Sequence, residues 1–368
     1  MTATQPGRRS GTGPPVDLPS IVALADFEAP ARQRMDPAAF DYLAGGSWDE
    51  VTLGEASEAW RRYRFIPRVL RGVRSVDLRG DFLGHRSTLP IAIAPMAAQA
   101  LGHPGAEVEM ARGAAAAGIP ICLSTSASTS LEDVAVGAPA AARFFQLYLV
   151  GDLGSSRSLV ERAEAAGYAA IVLTVDLPVL GYRDRDRRSG FALPHMPMVD
   201  GATAAADRDR YGGLDRQREI GLDWATVDLV RSWTSLPVLL KGILSPADAR
   251  QAAEAGVDGI GVSTHGARQL DRVLATAEAL PPIVEAVEGR CAVWVDGGIR
   301  RGLDVIVALA LGADAVLIGR PFYWALAAGG AAGVERAAAI LREELEIGLT
   351  LLGAASVADL DRELVVRP

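Results

Sequence analysis

From residue 89 onward the hydrophobic pattern of the chain repeats one form: a short apolar run rich in Val, Ile and Leu, then an alanine-rich stretch with apolar residues at helical spacing. Apolar residues in unbroken succession, rather than in alternation, mark strands buried on both faces, as in a parallel sheet covered by helices. The pattern predicts strands at 89–94, 120–124, 143–149, 170–176, 237–241, 259–263, 292–296 and 315–319. It predicts helices at 106–117, 131–136, 158–166, 224–233, 246–255, 275–287, 303–311 and about 334–352. Gly118, Gly167, Gly256, Gly289 and Gly312 stand where several of these helices must end before the next strand. Eight strand–helix units predict an α/β fold of the TIM (β/α)8 type, with the barrel proper at about 89–353. A doubly wound open sheet would call for a Gly-x-Gly-x-x-Gly turn after an early strand, and the chain has none.

Before the barrel the pattern is helical over about 18–60, a preface to the barrel rather than a domain of its own. Asp36-Pro37 has the chemistry of a helix cap and first position, and Gly45-Gly46 ends that helix. A second helix is predicted at about 51–60, followed by β-prone pieces near 76–82. After the fourth strand comes a long polar connection, 177–222, carrying Pro194-His195-Met196-Pro197 and Asp207-Arg208-Asp209-Arg210. Connections of that length are uncommon inside compact domains, and the expectation is a mobile lid with too little apolar surface to anchor in a membrane.

Composition narrows this picture. About half of the 368 residues are apolar, enough for one large core, and the expectation is a disordered tail at 1–17 followed by a single domain at 18–368. A formal charge of −8 argues against nucleic acid or an anionic membrane as the main partner. Two isolated cysteines, Cys122 and Cys291, make neither a disulfide framework nor a zinc spacing; no metal site is expected, and a reducing cytoplasm fits best. Neither a signal peptide nor a membrane span is legible.

On a TIM barrel the residues at strand C-termini converge on one mouth. Read there, the chain supplies Pro95-Met96-Ala97, Ser124, Gln146 with Tyr148, Thr174 with Asp176, Lys241, then Ser263, His265 and Arg268, Asp296-Gly297-Gly298-Ile299-Arg300, and Gly319-Arg320. Arg183 opens the long loop. Each has an innocent reading: a single histidine is most often structural, Lys241 can snorkel, and Thr174 is a good strand former. A lysine and a glutamine inside apolar strands are nevertheless costly unless paired, and chance does not gather all of these at one end. The two glycine-arginine loops after the last two strands sit where barrels commonly hold a phosphate. A histidine three residues before an arginine sets a base beside a permanent cation, which suits an acid substrate.

The run Val262 to Asp271, with Val295 to Arg300, Ala315 to Pro321, Phe145 to Tyr148, Leu173 to Asp176 and Leu240-Lys241-Gly242, resembles the FMN-dependent 2-hydroxy acid oxidases and dehydrogenases. That family includes glycolate oxidase, lactate oxidase and the mandelate and 4-hydroxymandelate enzymes, and the resemblance covers about 25–360. It implies FMN as cofactor and oxidation of an (S)-2-hydroxy acid to a 2-oxo acid. It implies that His265 is the base at the substrate hydroxyl, supported by Asp176. Arg183 and Arg268 would clamp the carboxylate, and Tyr42 and Tyr148 would hydrogen-bond the substrate. Lys241 would stabilise the reduced flavin. Pro95, Met96, Ala97, Ser124, Gln146, Thr174 and Ser263 would hold the flavin ring and ribityl parts, and Asp296, Gly298, Arg300, Gly319 and Arg320 the ribityl and phosphate end. The resemblance also implies a homo-oligomer, a tetramer or octamer.

The chain departs from the family pattern at two places. Thr264 stands where asparagine commonly precedes the histidine, and Ser126 where glycolate oxidases carry a tryptophan. A smaller residue at 126 implies acids bulkier than glycolate, lactate-like to mandelate-like. Ala97 beside the flavin leans towards dioxygen as acceptor, giving hydrogen peroxide. A quinone or protein acceptor is the alternative; an isomerase on the same barrel would leave the two arginines without work.

Overall fold

The computed structural model describes residues 16–150, 152–200 and 221–368. The N-terminal tail, except for residues 16 and 17, and the Asp207–Arg210 stretch of the long loop lie outside the described residues. Eight parallel strands close into a barrel: β1 Ile91–Ile93, β2 Ile121–Ser124, β3 Arg143–Leu147, β4 Ile171–Thr174, β5 Val238–Ile243, β6 Gly259–Val262, β7 Ala292–Asp296 and β8 Ala315–Ile318. They are ordered around the barrel as in sequence, β8 pairing with β1 and β6 with β7. Nearly every strand residue is buried, as the unbroken apolar runs require.

Helices α1 Ala106–Ala117, α2 Leu131–Gly137, α3 Leu153–Ala165, α4 Trp224–Arg231, α5 Pro246–Glu254, α6 Thr276–Val287, α7 Gly302–Ala310 and α8 Arg320–Leu352 follow the strands in turn. Local chemistry sets their starts. The Ser130, Asp152, Asp223 and Ser245 side chains each accept a first-turn N–H. Asp152 is why α3 begins five residues earlier than its apolar spacing suggests. The last helix differs more: it starts at Arg320, not near Val334, and is broken at Gly329 and Gly330, whose backbone leaves the helical region. The Gly-Gly pair hides the first turns of α8 from a periodicity reading.

The lower end of the barrel is plugged. A hairpin of Gly80–Phe82 against His85–Ser87 inserts Phe82 beneath Phe144 and Trp294, at ring-centroid distances of 6.1 and 5.3 Å. The upper end is covered from one side by the preface helices Pro37–Ala44 and Val51–Arg61. Trp60 Nε1 donates to Gly297 O at 2.8 Å and Ser57 Oγ to Gly298 O at 2.8 Å, so the second helix is bolted to the loop after β7. The start of the long loop is not the bare strap its polarity predicts. Short helices occupy Asp184–Ser189 and Pro197–Asp200, and Leu177, Phe191, Met196, Met198 and Val199 are buried. Apolar residues spaced too widely for a periodic signal suffice to fasten it. No helix among the described residues is long and apolar enough to cross a membrane.

Candidate active site

Because all eight strands run in one direction, their C-terminal ends meet at one mouth, where a cavity of about 1150 Å³ opens. Its wall takes residues from every predicted loop: Tyr42, Pro95 to Ala97, Ser124, Tyr148, Thr174, Arg183, Lys241, His265, Arg268, Asp296, Gly298, Arg300, Gly319 and Arg320 all line it.

His265 is placed by an unusual piece of backbone. It and the next two residues, Gly266 and Ala267, all have positive φ, near +60°, a conformation that costs free energy for a residue with a Cβ. The turn is held from both sides. Thr264 Oγ1 accepts from Ala267 N at 3.3 Å, and Ser263 Oγ accepts from His265 N at 3.0 Å. Thr264 thus supplies a local cap, while the imidazole makes its own contacts. His265 Nδ1 lies 2.8 Å from Asp176 Oδ1 and Nε2 lies 3.1 Å from the Tyr148 hydroxyl. With Nδ1–H on the carboxylate, Nε2 is left as the basic atom. Burial pushes the His265 imidazole below the ordinary histidine value, and Asp176 only partly offsets this. Burial alone would raise Asp176, but the adjoining histidine, its hydrogen bond and Lys241 hold that carboxyl below the usual range. Burial lifts Tyr148 well above the ordinary phenol, so it remains a hydroxyl donor.

Lys241 is buried, donates to Ser263 Oγ at 2.8 Å and sits 3.1 Å from Asp296 Oδ2. Ser263 in turn donates to Asp296 Oδ1 at 2.8 Å. Burial would depress the ammonium, yet Asp296 and Asp176 outweigh it and hold Lys241 protonated, above its ordinary value. A fixed positive charge therefore sits on the cavity wall.

The arginines form the second charged feature. Arg268 stacks over the Tyr42 ring at 4.5 Å and donates to the Tyr42 carbonyl and to Gly45 O at 3.1 Å; its Nη2 is buried with no partner among the described residues. Arg183 Nε donates to Arg268 O at 3.3 Å, which brings the two guanidinium-bearing residues together. Arg320 donates to the carbonyls of Leu43, Gly45 and Gly266, and Arg300 to its neighbour Ile299 O. Burial depresses both, and Arg320 is further depressed by Arg268 and Arg300. Arg300 and Arg320, half-buried, bonded to carbonyls and in no ion pair with a carboxylate among the described residues, keep charge for an anion. Beside them Gly297 and Gly298 have φ of +97° and +82°, and the N-terminus of α8 opens at Gly319.

Three predicted residues lie off the cavity wall. Asp176 instead contacts His265, and Ser263 contacts Lys241, Asp296 and the His265 backbone. Gln146 Oε1 accepts from the Ser124 hydroxyl at 3.0 Å and from Thr125 N at 3.2 Å, and its Nε2 donates to Thr174 Oγ1 at 3.0 Å. It braces two side chains that do face the cavity. Lining residues with no sequence signal as site residues include Leu177, Leu180, Leu193 and Tyr323. The leucines stand out only as apolar residues in a polar loop, and Tyr323 was hidden with the first turn of α8.

These residues fit a flavin mononucleotide: a wall with apolar Ala94, Pro95, Met96, Leu317 and Ile318, a buried ammonium, and half-buried arginines beside glycine loops for a phosphate. Comparison with known proteins agrees. Residues 31–367 match the family described as FMN-dependent dehydrogenase. The chain is 47% identical to the 4-hydroxymandelate oxidase of Amycolatopsis orientalis, covering 92% of this chain and 96% of that protein. It is 45% identical to glycolate oxidase 1 of Oryza sativa subsp. indica, covering 93% and 95%. Among solved structures, mandelate oxidase with (S)-4-hydroxymandelic acid superposes with a TM-score of 0.87 at 46% identity, over 93% of this chain and 98% of that one.

Proposed function

The chain belongs to the FMN-dependent dehydrogenase family and is an FMN-dependent 2-hydroxy acid oxidoreductase, and from that premise we propose that it oxidises (S)-2-hydroxy acids, lactate-like to mandelate-like, with dioxygen as acceptor and hydrogen peroxide as product. The observation that carries the reading is a single constellation. An imidazole nitrogen kept neutral by burial faces the cavity, its other nitrogen held at 2.8 Å by a carboxylate, with Arg183 and Arg268 on the same wall.

Bound FMN supplies a two-electron acceptor for the carbon-bound hydrogen of the acid. Everything else falls to this chain. Arg183 and Arg268 hold the substrate carboxylate; Nη2 of Arg268, without a partner among the described residues, is left to donate to it, and the planar guanidinium fixes that donor in a way a lysine cannot. His265 Nε2 takes the hydroxyl proton, and Asp176 stabilises the imidazolium that results. Tyr148 stays protonated and offers its O–H at the place where substrate oxygen arrives. Lys241, kept charged by Asp296, steadies negative charge developing on the ring. The group itself would be held by Pro95, Met96, Ala97, Ser124 and Thr174 along the ring and by Asp296, Gly298, Arg300, Gly319 and Arg320 towards the phosphate.

Ser126, buried on the cavity wall where glycolate oxidases carry a tryptophan, and the leucines at 177, 180 and 193 support an apolar side chain larger than hydrogen. The homo-oligomer is part of the same reading, and sedimentation at working concentration reads it. The direct test is optical. The purified chain is expected to be yellow, to bleach without air on addition of (S)-mandelate or L-lactate, and to recover colour on mixing with air. Failure to bleach with any 2-hydroxy acid overturns the reading. Recovery much slower than bleaching replaces dioxygen with a quinone or protein acceptor.

A further inference from the structure

Beside the reacting histidine the backbone of β5 departs from regular pairing. Lys241 pairs with Gly261 of β6 and Ile243 with Val262, so Gly242 is an extra residue bulged out of the ladder. Its φ is +114°, a backbone conformation that residues with a side chain rarely adopt. A Cβ placed on Gly242 would lie 2.5 Å from both Cβ and Cγ of Asp176 and 2.8 Å from its Oδ2. Those are distances inside van der Waals contact, so the Asp176 side chain rests on a bare Cα. Next to it Val175 N donates to Lys241 O at 2.9 Å, tying the end of β4 to the same point of β5. From this seat Oδ1 reaches His265, while Oδ2 is buried and has no partner among the described residues. That oxygen has no hydrogen bond of its own among the described residues, and the bare Cα of Gly242 lies against it.

We propose that Gly242 is a positioning residue: its bulge and its missing side chain seat the Asp176 carboxylate against His265 and turn Lys241 into the barrel mouth. The inference deepens the reading of His265 as the base and rests on it for its kinetic consequences only. The charged and titratable groups that face His265 are Asp176 from the end of β4, Lys241 from β5, Arg183 from the long loop and Tyr148 from the end of β3. Among the charged ones Asp176 alone favours the imidazolium; Lys241 and Arg183 oppose it. Pushing the carboxylate aside therefore lowers the histidine further, by about one pH unit or more, the usual size of a lost neighbouring charge.

The test uses the full-length, FMN-loaded chain and the variants Gly242→Ala, Asp176→Asn and the two combined. With four histidines in the chain, the His265 ring signal can be followed by NMR and assigned by its loss in His265→Gln. Gly242→Ala is expected to lower that titration and to move the acid limb of kcat/KM for (S)-mandelate to lower pH. It is also expected to drop the plateau by roughly tenfold or more, and to cost little further in the Asp176→Asn background. A folded Gly242→Ala protein with an unshifted His265 titration overturns the proposal, whatever happens to its Tm. The NMR arm needs no turnover, so a wild type left unreduced by hydroxy acids defeats the functional reading and leaves this one standing or falling by itself. If Gly242→Ala does not accumulate folded, the Asp176→Gly/Gly242→Ala pair decides. Recovery of folded, yellow protein supports the contact with Asp176, and continued failure overturns it by showing that the backbone angle alone demands glycine.

Discussion

At the scale of single residues, the proposed chemistry depends on an imidazole that must be neutral to act. Burial lowers the His265 pKa, and a base is active above its pKa. Activity is therefore expected to persist into mildly acidic solution, with the acid limb of the kcat/KM profile falling below the ordinary histidine value of about 6.5. A limb above that value contradicts a histidine governed by burial. His265→Gln is expected to keep the protein yellow while slowing flavin reduction by on the order of 100-fold or more; rapid anaerobic bleaching of that variant removes the base assignment. Arg268→Lys keeps the charge and loses the planar fork, so KM for the acid is expected to rise, and an unchanged KM and kcat would refute the clamp. That Asp176, Lys241, His265, Arg268, Arg300 and Arg320 come together at one mouth was legible in the sequence because each stands at or just after a strand end, while Arg183 comes from further along the long loop. Gln146 and Ser263, expected as cofactor contacts, hydrogen-bond Ser124, Thr174, Lys241 and Asp296 in this structure. Which hydrogen bond a buried polar group makes is a matter of tertiary distance.

At the scale of elements, the preface helix Val51–Arg61 is part of the site because it carries the bond from Trp60 Nε1 to Gly297 O. Trp60→Phe keeps most of the packing and leaves that carbonyl without its donor, at a cost of about 1 to 3 kcal/mol. The expected outcome is a lower Tm and weaker flavin retention on dilution, because the loop from Asp296 to Arg300 lines the cofactor cavity. Unchanged flavin affinity with lowered Tm would confine the bond to stability. Eight strands and most of the helices were evident from the hydrophobic pattern. The start of α8 was not, since Gly329 and Gly330 interrupt the helical period and Arg320 sits upstream of the interruption. The packed part of the long loop was also hidden, because its anchors touch the barrel across sequence rather than each other.

At the scale of the whole molecule, the proposed function has the size of the acid set by walls from several loops: Ser126 after β2, Leu177, Leu180 and Leu193 after β4, and Tyr42 from the preface. Filling one wall should change the ranking of substrates. Ser126→Trp is expected to favour glycolate over (S)-mandelate relative to wild type, by an amount comparable with the roughly 1 to 3 kcal/mol that a pocket methylene is worth. An unchanged ranking of kcat/KM for the two acids would remove the pocket argument.

The sequence by itself determined the barrel, because continuous apolar runs cannot be satisfied except as doubly covered parallel strands. It also determined at which end of the barrel the polar-lined cavity lies, because polar residues inside such runs are too costly to occur there without a partner or a use. The resemblance paired Asp176 with His265, but only the tertiary structure decided how close they stand, what covers the mouth, and why a glycine stands beside Asp176. Those depend on atoms brought within about 3 Å by chain closure, from residues tens to hundreds of positions apart, and no local pattern records such a distance.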